Sequence, residues 1–221
     1  MKVAAIVPAL NEEGNIANVL SVLLRSKDVD EVIVIDDGST DGTAQASRKT
    51  GARVITLPKK GGSGKGNAMR QGVNSTDAEI IAFFDADLIN LQEKHISDVI
   101  GPVKEEKAEM CVGMRVRYGG APELIIKLDP LLAIGGERAM KRKVFENIPD
   151  RFIKGFAVET ALNYYCLIKK LPIKYVRLEG LNIIIKEKKW GFWKGFKNRI
   201  KMFWELFKIR VTLRLGRREF K

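Results

Sequence analysis

Short apolar runs rich in β-branched residues alternate with segments of helical spacing through the first 90 residues of the chain. Val3–Val7, Val32–Ile35, Val54–Leu57 and Ile80–Phe84 read as strands, and Ile16–Leu24, Thr43–Thr50 and Lys65–Val73 between them read as helices. Such alternation implies βαβ crossovers. The expected fold is therefore α/β, with a Rossmann-like, mostly parallel central sheet and ligands gathered at the carboxyl ends of its strands. Further along, Met110–Arg117 is expected as another strand, Glu137–Asn147 and Ala157–Lys169 as helices, and Ile173–Val176 and Leu181–Ile185 as late strands.

The pattern changes near Lys186. From Trp190, the residues Trp193, Phe196, Ile200, Phe203, Trp204, Phe207 and Val211 recur at spacings of three and four, while Lys194, Lys197, Arg199, Lys201, Lys208 and Arg210 fill the rest of the surface. This predicts one domain at 1–185 followed by a basic amphipathic helical extension at 186–221 that is not a domain of its own. Such a helix suits the interface of an anionic bilayer. Packing on the core, or a homodimer contact, is the plainer use of the same face.

Charge sharpens that division. The formal net charge is +12, yet residues 186–221 carry 13 Lys and Arg against 3 Glu, so the first 185 residues are nearly neutral. The segregation points to a local anionic partner of the tail, such as a membrane surface, and nothing beyond charge supports nucleic-acid binding. A chain of 221 residues buries a core without covalent staples, and Cys111 and Cys166, which have no metal-ligand spacing, read as reduced thiols. Val3 to Leu10 breaks at Asn11-Glu12-Glu13 without a small-residue cleavage site and reads as a strand rather than a leader. No window reaches the roughly 18 uncharged apolar residues of a membrane-spanning helix. The expected location is cytoplasmic, peripheral to the inner face of the membrane.

Three motifs fall at the ends of expected strands. Phe83-Phe84-Asp85-Ala86-Asp87 ends an apolar run with two carboxylates one residue apart, a spacing that can aim Asp87 at a divalent ion and Asp85 at a ribose or sugar. Mg²⁺ or Mn²⁺ there would neutralise a leaving nucleoside diphosphate. Pro8-Ala9-Leu10-Asn11-Glu12 closes the first strand: backbone groups freed beside the proline can meet a base edge, and Glu12 can accept from a ribose hydroxyl, although Asn11-Glu12-Glu13 also suits a plain helix cap. Asp36-Asp37-Gly38-Ser39 brings two acids out of the second strand, with Asp37 able to accept from the N–H groups of uracil or guanine. The Gly-rich stretch Gly61 to Gly66 is not a Walker A loop, because Gly66 replaces the hydroxyl residue and position 59 is lysine; it is expected to place Lys65 near the donor's nucleotide or sugar.

Two glycine turns carry acids further on. Gly136, Glu137 and Arg138 are assigned to the acceptor, and Glu159, after Gly155, is the carboxylate expected to orient or deprotonate an acceptor hydroxyl. Both acids also suit helix starts for dipole reasons alone. His95, the only histidine, reads as a surface residue.

With these residues assembled, the chain resembles the family 2 glycosyltransferases of GT-A fold and, more closely, the glucosyl-3-phosphoglycerate synthases. The likeness runs through Pro8 to Glu13, Asp36 to Thr43, Gly51 to Val54, Gly64-Lys65-Gly66, Asp85 to Asn90, Gly135-Gly136-Glu137 and Gly155 to Glu159. It implies that Leu10 to Glu12, Asp37 and Lys65 hold a uridine diphosphate, Asp87 the metal, and Glu159 the sugar or acceptor. The synthases add a metal histidine from a late strand or the following loop, whereas Leu181 to Lys189 contains none; the ion is then held by Asp87, diphosphate and water, or by another residue. The arginine and threonine that bind phosphoglycerate in the synthases are also missing from Gly119 to Leu124. The polyprenyl-phosphate sugar synthases share the first three motifs, and a basic amphipathic tail suits their lipid-phosphate acceptors.

The expectation is a metal-dependent hexosyltransferase. The donor is a nucleoside-diphosphate sugar, UDP-glucose first and GDP-mannose second, and the acceptor bears a phosphate or is a lipid. The donor set is Pro8, Ala9, Leu10, Asn11, Glu12, Asp37, Gly38, Ser39, Lys65, Asp85 and Ala86; Asp87 and Glu159 are the catalytic pair, and Asp87 with Asp85 is the metal set. Glu159 serves as base if the reaction inverts and as a positioning group if it retains. A catalytically silent sugar-nucleotide sensor is the alternative from another class.

Overall fold

The computed structural model describes residues 1–58, 61–115, 135–153, 157–183, 211–216 and 219–220. The amphipathic stretch 190–210, the loop 119–124, Gly155, and residues 184–189 lie outside the described residues. Strands β1 (Val3–Ala9), β2 (Glu31–Asp36), β3 (Arg53–Thr56), β4 (Ile80–Phe83), β6 (Met110–Arg115), β7 (Arg138–Lys141) and β8 (Ile173–Leu178) form one sheet in the order β3-β2-β1-β4-β7-β6-β8. A two-stranded ribbon pairs β5 (Leu88–Ile89) with β9 (Asn182–Ile183). The helices are α1 (Ile16–Leu23), α2 (Thr43–Lys49), α3 (Lys65–Asn74), α4 (Glu93–Lys104), α5 (Arg142–Glu146) and α6 (Ala157–Ile168), with a 3-10 turn at Asp150–Phe152.

The sheet is mixed because β7 runs antiparallel to both neighbours, β4 and β6, while all other pairings are parallel. Apolar runs rather than alternation mark its strands because helices cover both faces. Along β1, Ala4 and Ile6 join the core with Met69 of α3 and Leu162 of α6, whereas Val3, Ala5 and Val7 pack with Leu20 of α1 and Val99 of α4. The expected strands and helices of the first 90 residues all appear, shifted at their ends by no more than two residues.

The expected helix at Glu137–Asn147 is corrected. Its first part is β7, in which Met140 buries toward one face of the sheet and Ala139 toward the other, and only Arg142–Glu146 is helical. The slot between β4 and β6, closed by pairing on both sides, overrides a weak local preference. Strand β9 falls within the expected strand Leu181–Ile185, whereas β5 and its pairing with β9 were not expected. The ribbon follows directly on Asp87 and ties the Asp85-Ala86-Asp87 turn to the end of the late strands.

His95 is also corrected. It is 4% exposed: the Gln92 N–H donates to Nδ1 at 3.2 Å, so Nε2 carries the proton and donates to the Glu179 carbonyl at 2.9 Å. The start of α4 is thereby fastened to the turn after β8. At the chain's end, 211–215 is helical, Leu213 is fully buried, and Phe220 sits among Phe152, Tyr164 and Tyr165 at ring distances of 5.2, 5.5 and 6.4 Å. Part of the segment assigned to the tail thus belongs to the core of the α3/α6 face.

Candidate active site

A cleft of about 450 Å³ opens at the carboxyl edge of the sheet, lined by Pro8, Ala9, Leu10, Glu12, Asp37, Gly64, Lys65, Ala68, Asp85, Ala86 and Asp87. It exists because β1 runs three residues past its pairing with β4: β4 registers only with Val3 to Ile6, and Pro8, which has no N–H, stands in the splayed stretch. Nine of the residues expected at the site from sequence share this one cavity.

Asn11, Gly38 and Ser39 build the rim rather than the lining. Asn11 adopts φ +56°, its Oδ1 accepts from the Thr40 N–H at 2.9 Å, and its own N–H donates to Ser39 Oγ at 3.0 Å. These bonds lock the loop after β1 to the loop after β2. Glu12 is buried, with its N–H donating to Thr43 Oγ1 at 2.8 Å and its carboxylate accepting from Asn15 Nδ2 at 2.9 Å.

Asp37 gathers the Gly-rich loop. Its carboxylate accepts from the Ser63 N–H at 2.9 Å, Ser63 Oγ at 2.5 Å and the Gly64 N–H at 2.8 Å. Gly62, at φ +92°, has no room for a Cβ against Leu10 and Asp37, so glycine is needed for this approach. The loop delivers Lys65 as the first residue of α3.

Lys65 Nζ bridges two acids, donating to Asp85 Oδ1 at 2.8 Å and Glu159 Oε1 at 2.9 Å. Burial works against the ammonium, but the two carboxylates outweigh it and raise its pKa. Asp85 is the mirror case: burial opposes its charge, and Lys65, then Arg115 and Arg138, hold its pKa below the ordinary value. Gly136 presses against the Asp85 carboxylate so closely that a Cβ would overlap it.

Glu137 and Arg138 are wholly buried. Burial, and then the Asp85 charge, push the Glu137 carboxyl up to about 7. Neither of its oxygens makes a hydrogen bond, and Arg115 Nε lies 3.4 Å away. Arg138 donates to the Gly135 carbonyl from Nε at 3.1 Å and Nη2 at 2.7 Å, and Nη2 lies 3.9 Å from Glu159 Oε2. This guanidinium braces the acids from beneath and does not line the cleft. Glu159, 2% exposed, has its carboxylate engaged by two cations.

Sequence reasoning missed Arg115. It ends β6, with Nη2 3.9 Å from Asp85 Oδ2, whereas the expected strand ran on to Arg117 and left Arg115 as a cation within it. Among the described residues no group of three or more His, Cys, Asp or Glu is placed to hold a metal ion alone. Asp85 and Asp87 nevertheless give the cleft two hard oxygen ligands, a donor set that fits Mg²⁺ or Mn²⁺ sharing its remaining positions with a diphosphate and water. His95, with both ring nitrogens engaged elsewhere, supplies no ligand.

A seven-stranded mixed sheet carrying these loops at its carboxyl edge is an α/β fold of GT-A-like type. Residues 4–164 match the model of the family described as glycosyl transferase family 2, and the chain belongs to that family. Glucosyl-3-phosphoglycerate synthase of Mycobacterium tuberculosis (strain H37Rv) is 31% identical over 195 residues, covering 72% of this chain and 59% of the relative. The synthase of Petrotoga mobilis is 29% identical over 198 residues, covering 73% and 59%. The chain therefore spans about three fifths of the length of the curated relatives it matches. Among solved structures, the M. tuberculosis synthase in complex with Mn²⁺, UDP-glucose and phosphoglyceric acid superposes with a TM-score of 0.69 at 29% identity, covering 84% of this chain and 72% of that one. The same synthase with Mg²⁺ and UDP gives 0.72 at 28% identity, covering 85% and 73%.

Proposed function

We propose that this protein transfers a hexose from a nucleoside-diphosphate sugar, UDP-glucose in the first instance, to an acceptor bearing a phosphate. The carrying observation is the single cleft that unites the ends of β1 and β2, the start of α3 and the Asp85-Ala86-Asp87 turn. Solved relatives at 28–29% identity hold UDP or UDP-glucose with Mn²⁺ or Mg²⁺, which supports the donor and the ion.

In this reading the base lies against Pro8, Ala9 and Leu10, with Glu12 and Asp37 accepting from its N–H groups or from ribose hydroxyls. Asp87 and Asp85 hold the metal, which when bound neutralises charge developing on the diphosphate leaving group. Lys65 fixes Asp85 and Glu159 relative to each other, so the metal turn and α6 keep a constant separation. Glu159, already held by cations, orients a sugar or acceptor hydroxyl rather than removing its proton.

Calorimetric titration with UDP, GDP, UDP-glucose and GDP-mannose, each with Mn²⁺ or Mg²⁺ and again with chelator, tests the donor reading. Metal-dependent binding of the uridine compounds is expected; no binding of any of them would return the chain to a silent relative of the family.

A second reading places the protein at an anionic membrane surface, with a lipid phosphate as acceptor. In its favour, Val211 and Leu215 stand 42% and 82% exposed one helical turn apart, on a stretch that also carries Arg210, Arg214, Arg217 and Arg218. No helix among the described residues is long and apolar enough to cross a membrane. Sedimentation with vesicles tests this reading.

A further inference from the structure

We propose that a second cavity, between the first turns of α1 and the chain that follows Asp87, is a binding site for a neutral saccharide. It shares no lining residue with the cleft described above, and it stands without the donor reading.

The cavity measures about 380 Å³, within the roughly 300–1,000 Å³ of small-molecule sites. Asn15, Asn18, Ser21 and Val22 form one wall, and residues 88–91 form the other. Asn15, Asn18 and Val22 recur at spacings of three and four, which puts them on one side of α1. Ile16, Val19, Leu20 and Leu23 of the same helix are buried, so the sheet takes one stripe and the cavity takes its flank. On the opposite wall β5 pairs with β9 over only two residues, and Asn90 then turns the chain at φ +61°, a conformation asparagine adopts more readily than most residues. That turn leaves Ile89 39% exposed beside the buried Leu88 and Leu91. The cavity lies on the α1/α4 face of the sheet, whereas α3 and α6, which carry Lys65 and Glu159, cover the other.

None of the eight lining residues is ionisable, although 30% of the chain is charged. An anion would find no cation here and a divalent ion no carboxylate, which makes phosphates, nucleotides and metals poor occupants. A wholly apolar molecule would strip water from the asparagines and return no hydrogen bond. A neutral ligand rich in hydroxyls meets both demands. The side-chain amides of Asn18 and Asn90 make no hydrogen bond among the described residues, and each carries donors beside an acceptor. Ser21 Oγ donates to the Asn18 carbonyl at 2.8 Å and keeps its own lone pairs for an incoming hydroxyl. Adjacent hydroxyls of a sugar ring, each both donor and acceptor, match such amides, while Val22 and Ile89 offer apolar surface to its C–H face.

The site adjoins the cleft at two points. Asn15 Nδ2 donates to Glu12 Oε2 at 2.9 Å, and Leu88 follows Asp87 in the chain; Glu12 and Asp87 both line the cleft. A free sugar and the end of a glycan present the same neutral ring to this cavity.

The test follows the full chain by proton–nitrogen correlation NMR, alone and again with UDP and Mg²⁺, during titration with methyl glucoside, methyl mannoside and maltotriose. Saturable shifts are expected at the side-chain amides of Asn18 and Asn90 and at the backbone of residues 15–22 and 88–91, whether or not UDP is present. Asn18→Leu should weaken that binding by about tenfold or more, with UDP affinity changed less than about twofold. Asn90→Gly keeps the left-handed turn while deleting the amide, and should weaken saccharide binding in a chain that melts as wild type does. Tighter binding of maltotriose than of the methyl glycosides identifies a glycan end, and equal binding identifies a free sugar. The assignment is overturned by the absence of shifts at these residues with all three saccharides, or by equal affinity in wild type and both variants. Shifts confined to Lys65 and residues 85–87 that vanish with UDP would also overturn it, by placing the sugar in the cleft. Failure of UDP to bind would remove the donor reading and leave the saccharide arm, read on the chain alone, to decide this one.

Discussion

Glu137 shows how far a side chain's behaviour depends on its burial rather than on its chemical type. Its carboxyl has an ordinary value of 4.5 and is pushed to about 7 by burial and by the neighbouring Asp85 charge. The folded chain therefore keeps a proton that the unfolded chain has already lost. The stabilisation is complete below about pH 4.5 and is lost as pH rises through about 7. Urea unfolding of wild type and Glu137→Gln should show it: the stability of wild type relative to the variant should fall by on the order of 1–3 kcal/mol between about pH 5 and about pH 8. A difference independent of pH would mean that Glu137 does not titrate in this window. At this scale the sequence exposed Asp85, Asp87 and Asp37 through their spacing after apolar strands, and Lys65 through the glycines around it at a helix start. Arg115 had no such spacing, and His95 read as a surface residue because nothing local marks a buried imidazole.

Among the elements, β7 does the most to shape the site and was the least legible. A run of four residues beginning with arginine and ending with lysine has no strand signature of its own. The pairing of Ile81 with Met140, and of Cys111 with Ala139, supplies what the local sequence lacks. Once β7 is in place, Gly136 lies against the Asp85 carboxylate with no space for a methyl group. Gly136→Ala should therefore displace Asp85, lowering metal-dependent UDP affinity and costing about 1–3 kcal/mol of stability from overpacking. UDP titration beside a thermal melt checks both parts. An unchanged affinity in a folded variant would show that Asp85 has room to retreat without consequence for the donor.

For the whole molecule, the distribution of charge and the path of the chain's end matter together. The net charge of +12 resides almost entirely after residue 185, and part of that segment returns to the core through Leu213 and Phe220. Arg151, within the 3-10 turn that leads toward α6, and Glu219 pair at 2.5 Å beside the same contact. The exposed Leu215 is the residue to change if this surface meets a bilayer. Leu215→Asp should reduce sedimentation with phosphatidylserine-containing vesicles by about tenfold, since burying a leucine is worth about 1.5–3 kcal/mol. Unchanged sedimentation would reject a bilayer role for that face while leaving the proposed donor site untouched.

The sequence by itself determined the α/β class, the strands and helices of the first 90 residues, and the side of the cleft built from the ends of β1 and β2 and the start of α3. Those features depend on local patterns: apolar runs long enough to be strands, and acids or glycines placed where a strand must turn. Tertiary structure decided the reversed β7, the β5–β9 ribbon behind Asp87, the burial of His95, and the charge cluster that joins Lys65, Asp85, Arg115, Glu137, Arg138 and Glu159. Each of these brings together residues distant along the chain, as Lys65 and Glu159 are by 94 positions. Their energies come from strand pairing, desolvation and charges at close range, which exist only after the sheet has assembled.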